Sequence, residues 1–140
     1  MQAKTKIAAH KAVITTIQSE RTPVQTVLKN RIDAFIVTSG EVKYDKAAAL
    51  AASRDAVSKA ISTYNAQSTV YKKSLDTLEA AKCTEGAGEY TIALTASRAE
   101  LVKLRTASEG VKTTLKSETV PALRNYATWL KTSTTSGDTE

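Results

Sequence analysis

Apolar residues recur along this chain at a seven-residue spacing in three separate stretches. In the first, Ile7, Ile14, Leu28 and Phe35 share one lattice, Ile17 and Val24 stand on its companion position, and Arg21, Arg31 and His10 interrupt. The second is cleaner, with Leu50, Val57, Tyr64, Tyr71 and Leu78 in an unbroken row and Ile61 and Leu75 filling the companion row. In the third, Leu94, Leu101, Leu115 and Trp129 share a lattice beside Leu104 and Val111. Rows sustained over about four heptads predict long α-helices with coiled-coil-like seams.

The helix breakers divide the chain at the same places. Gly40 and the pair Gly86/Gly88 bracket residues 41–85, which hold neither Gly nor Pro. Glycine belongs at helix ends, so the spacing predicts helices over about 4–38, 43–83 and 88–131, with turns at Thr38-Ser39-Gly40 and Thr84–Gly88. Gly110 is the one glycine inside a helix. Pro23 and Pro121 follow Thr22 and Val120, and Thr22 and Thr119 are candidate caps, so the first and third helices are expected to be kinked or split there. Two tight turns force successive helices to run antiparallel. The expected fold is all-α, an elongated up-down-up three-helix bundle forming a single domain over 1–131, with 132–140 as a polar, flexible tail.

Composition narrows the alternatives. The chain has 140 residues with seven aromatics and seven Gly plus Pro, while 22 Ala and 33 Ser plus Thr make small side chains nearly two-fifths of it. Sandwiches and barrels need more turn residues. Ser68, Ser108, Arg54 and Arg21 occupy seam positions where Leu or Ile would be expected, so the core is thin. Small residues bury less apolar area, each Å² being worth about 25 cal/mol. Tyr64 and Tyr71 are expected to pack between helices with their hydroxyls at the rim.

Candidate chemistry is sparse. His10 lies between Ala9 and Lys11 with no carboxylate beside it in sequence, which favours a structural or solvated histidine over acid/base work. Cys83 falls at the expected C-terminus of the second helix, where the macrodipole disfavours a thiolate. One Cys and one His exclude an internal disulfide and a four-ligand zinc site. Gly86-Ala87-Gly88 lacks the remainder of a phosphate-binding fingerprint. The pairs Glu85/Glu89, Asp76/Glu79 and Glu41/Asp45 have no further ligand beside them, and ordinary surface pairing is the better reading. No catalytic, cofactor or metal residue is assigned, and the chain is read as a non-enzyme without a small-molecule substrate.

Charge is the feature that points to a partner. Of a net +6, residues 1–31 hold +5, from Lys4, Lys6, Lys11, Arg21, Lys29 and Arg31 against Glu20. These six form a candidate contact set for a polyanion, a nucleic acid or an anionic cell-surface polymer. Against that stand their spread over about four heptads and the lack of aromatics to stack bases, and an ordinary solvated surface is the better reading. Arg98, Arg105 and Lys112 make a second stripe, read as a solvated edge. No run approaches the ~18–20 apolar residues of a membrane span. Met1–Lys6 lacks the apolar core of a signal peptide, so the chain is read as cytoplasmic or as a mature form whose leader was replaced by Met1.

Over about 130 residues, the Ala/Thr/Lys-rich helices, the lone Cys83 near a helix end, the spaced tyrosines and Thr119-Val120-Pro121-Ala122-Leu123-Arg124-Asn125-Tyr126 before a polar tail form one pattern. In these features the chain resembles the secreted, all-helical, uncharacterised proteins of Saccharibacteria-type candidate-phylum bacteria, and it departs from that pattern in showing no leader at Met1–Lys6. The resemblance implies an exported helical domain and transfers no functional residue. The leading expectation is a non-enzymatic interaction or structural module, secreted or at the cell-envelope exterior, that engages a protein partner or itself. The alternatives are a polyanion-binding protein using the basic first helix, and a cytoplasmic location.

Overall fold

A computed structural model describes residues 2–82 and 88–135 of the chain. They form α1 (Gln2–Glu41), α2 (Ala47–Ala80), α3 (Gly88–Thr114), one π-helical turn (Leu115–Thr119) and α4 (Val120–Thr135). The fold is an all-α three-helix bundle in which α2 packs against both α1 and α3, the π turn and α4 continuing the third helical run. The run extends to Thr135, four residues past the expected boundary at 131; the remainder of the expected tail, 136–140, lies outside the described residues, as does Cys83. Hydroxyls of Thr132, Thr134 and Thr135 donate to carbonyls three or four residues back, which accommodates these polar residues in the last turn.

Contacts within the chain group into two compact units. The first takes Met1–Val24 and Ser62–Glu109. Its helices are antiparallel: His10 meets Tyr71, Gln18 meets Ser68 and Arg21 meets Tyr64 from α1 to α2, while Ser97 meets Ser74 and Glu100 meets Gln67 from α3 to α2. Ile7, Tyr64, Tyr71, Leu75, Leu78, Ala93 and Leu104 are buried here.

The second unit takes Gln25–Ile61 and Gly110–Glu140. One cluster joins Ile32, Val57 and Ile61 to Leu28, Ile36, Val111 and Leu115. The other joins Tyr44, Leu50 and Tyr126 to Ala47, Leu123, Trp129 and Leu130. In it Tyr44 stands 5.0 Å from Tyr126 and 5.1 Å from Trp129, ring centre to ring centre. Such aromatic contacts add to simple area burial. Four of the seven aromatics of the chain, with Phe35 edge-on to Tyr126, gather in this one unit.

The α1–α2 turn differs from expectation in its key residue. Gly40 is inside the last turn of α1, and the left-handed position belongs to Lys43, with φ 56°. Tyr44 N–H donates to the Ser39 carbonyl and Lys43 N–H to that of Gly40, which is the Schellman pattern with Lys43 where glycine is the usual choice. Burial of Tyr44 and of Ser39 fixes this turn in spite of the local cost.

The two prolines act differently. α1 runs through Pro23 without interruption, and Thr22, an expected cap, instead donates its hydroxyl to the Gln18 carbonyl. At Pro121 the helix widens just upstream: Val120 N–H reaches back five residues to the Leu115 carbonyl. A proline has no N–H and crowds the carbonyl four residues before it, so the wider turn relieves the conflict. Thr119, the other expected cap, is buried within this turn.

The π turn also changes which side faces inward. The buried or half-buried row runs through Ser97, Leu104 and Val111, then through Thr119 and Tyr126, so one step is eight residues where the others are seven. Glu118 and Asn125, which an unbroken α-helix would turn inward, are exposed.

Candidate functional site

α2 matches its sequence pattern: Leu50, Val57, Tyr64, Tyr71 and Leu78 are all buried, as are Ile61, Ser68 and Leu75. α1 does not. Ile7 is buried and Ile14 and Leu28 half-buried, but the companion residue Val24 is 67% exposed and Phe35 is 45% exposed. Ile17 is half-buried, but in place of Val24 the second inward row is Lys11, Gln18, Gln25, Ile32 and Ser39. In the first unit this polar row is answered from α2. Gln18 Nε2 donates to the Ser68 hydroxyl, and Lys11 Nζ lies 2.5 Å from an Asp76 oxygen and 2.7 Å from a Glu79 oxygen.

The six candidate basic residues therefore have different roles. In the first unit Lys4 and Lys6 are exposed. Lys11 is half-buried between its two carboxylates, and hydrogen bonds to Asp76 and then Glu79 hold its ammonium above the ordinary lysine value. The guanidinium of Arg21 donates to the Tyr64 hydroxyl and sits 5.2 Å over that ring, a cation–π geometry. In the second unit Lys29 and Arg31 are exposed. The stripe residues Arg98, Arg105 and Lys112 are exposed as well.

His10 finds its partner far away in sequence. Its Nε2 shares a 2.8 Å hydrogen bond with the hydroxyl of Tyr71, and the two rings meet edge to face. Burial pushes the Tyr71 phenol above its ordinary pKa, with the positive charge of Arg105 acting against that rise. The hydrogen bond and the ring contact link α1 to α2 in this unit.

Asp76 and Glu79, one of the paired carboxylates noted in the sequence, are bridged by the Lys11 ammonium. Glu41 and Asp45 are exposed, and Glu85 and Gly86 lie outside the described residues. Among the described residues no group of three or more His, Cys, Asp or Glu is placed to hold a metal ion. Nor is any described helix long and apolar enough to cross a membrane.

Several inter-helix contacts have no local signature. Gln67 Nε2 donates to Glu100, which also pairs with Lys103, and these hydrogen bonds from Lys103 and then Gln67 hold the Glu100 carboxyl below its ordinary value. Ser97 donates to the Ser74 carbonyl. In the second unit Arg54 bridges Asp33 and Asp55, each at 2.6 Å. The signal available for part of this was a polar residue at a seam position: Arg21, Arg54 and Ser68 each meet a partner on or across α2.

Comparison with protein-family models, with curated proteins and with solved structures finds no match for this chain.

Proposed function

We propose that the chain is a non-enzymatic helical-bundle module that works by presenting surface, as an interaction or structural subunit that engages a protein partner or a second copy. The observation behind this reading is on α1 in the first unit. Val13 and Val24, three turns apart on one side of the helix, are 53% and 67% exposed, with half-buried Ile17 between them. Apolar residues aligned at helical spacing and left in solvent are what a partner helix would cover. A place outside the cytoplasm or at the cell envelope belongs to this proposal on the strength of the resemblance alone.

Sedimentation equilibrium at high micromolar concentration tests self-association. The expected result is a mass above the monomer for the native chain that falls to the monomer for Val24→Lys. A strict native monomer removes the second copy from the proposal and leaves a different protein as the partner.

Exposed Lys4 and Lys6, on α1 of the same unit, favour a second reading as a polyanion-binding surface. Retention on heparin that weakens with salt and disappears when Lys4 and Lys6 become Gln supports it. No retention near physiological salt rejects it.

A further inference from the structure

We draw no further inference here: the strongest candidate, the apolar side of α1 formed by Val13, Ile17 and Val24 in the first unit, is an unpartnered helix face and nothing in the structure shows what covers it.

Discussion

His10 and Tyr71, 61 positions apart in sequence, share a 2.8 Å hydrogen bond that ties α1 to α2. The ring belongs to a tyrosine that is only 3% exposed, while His10 stands at the surface. His10→Ala should cost about 0.5–1.5 kcal/mol in urea unfolding, because it removes the hydrogen bond but lets water reach the freed hydroxyl. Tyr71→Phe should cost a similar amount, about 0.5–1.5 kcal/mol, and the double variant less than the sum of the two. Additive losses would show that the bond contributes nothing of its own.

Two other buried hydroxyls should behave in the opposite way. Thr119 Oγ1 and the Tyr126 hydroxyl, both in the second unit, have no hydrogen-bond partner among the described residues. Removing an unpaired buried hydroxyl relieves a desolvation cost of about 1–3 kcal/mol. Thr119→Val and Tyr126→Phe should each leave stability unchanged or raise it by about 1 kcal/mol. A clear loss in thermal unfolding would mean that the hydroxyls are paired in solution.

The α1–α2 turn has its glycine three residues too early. Lys43 holds a left-handed conformation, while Gly40 is in a helical turn with open space around an added Cβ. Lys43→Gly should therefore stabilise by about 1 kcal/mol, and Gly40→Ala by a similar ~1 kcal/mol. Melting temperatures of the single variants and the combined swap check both, and a destabilised Lys43→Gly would contradict the turn described.

Stability should fall at both ends of the pH scale through identifiable groups. The folded-state Glu100 carboxyl lies below its ordinary value of 4.5, so its contribution is present above that value and is lost as pH falls through the depressed one. Glu100→Gln should flatten the acid limb of melting temperature against pH. Lys11 lies above its ordinary 10.5, so its contribution is present below that value and is lost as pH rises through the raised one. Lys11→Met should flatten the alkaline limb, and unchanged limbs would separate these pairs from stability.

Burial decides what an isoleucine contributes. Ile32 is 1% exposed within the cluster around Val57, whereas Ile92 is 71% exposed. Ile32→Ala should cost about 2–5 kcal/mol. Ile92→Ala should stay within about 0.5 kcal/mol. Similar losses in denaturant titrations would mean that Ile92 is buried in solution and contradict its exposure here.

How well the sequence reveals the fold varies from helix to helix. α2 is legible because its neighbours bury a row that is apolar by itself, from Leu50 to Leu78. α1 is not, because Lys11 and Gln18 face inward at the expense of Val24, and their acceptability depends on Asp76, Glu79 and Ser68 on another helix. No spacing rule within α1 contains that information. Polar residues at seam positions did mark where inter-helix pairs form, but His10 read as solitary since Tyr71 is distant in sequence.

The π turn at Leu115–Thr119 leaves the third helical run written in two reading frames. Leu104 and Val111 belong to one, Thr119 and Tyr126 to the other, and a single surplus residue separates them. A chain one codon shorter at this point would bring both frames into register on an ordinary α-helix. The turn thus gives the protein a place where its length can change by one residue while Tyr126 and Trp129 keep their side of the helix, and a deletion of Ser117 paired with Pro121→Ala is the simplest chain in which to see it.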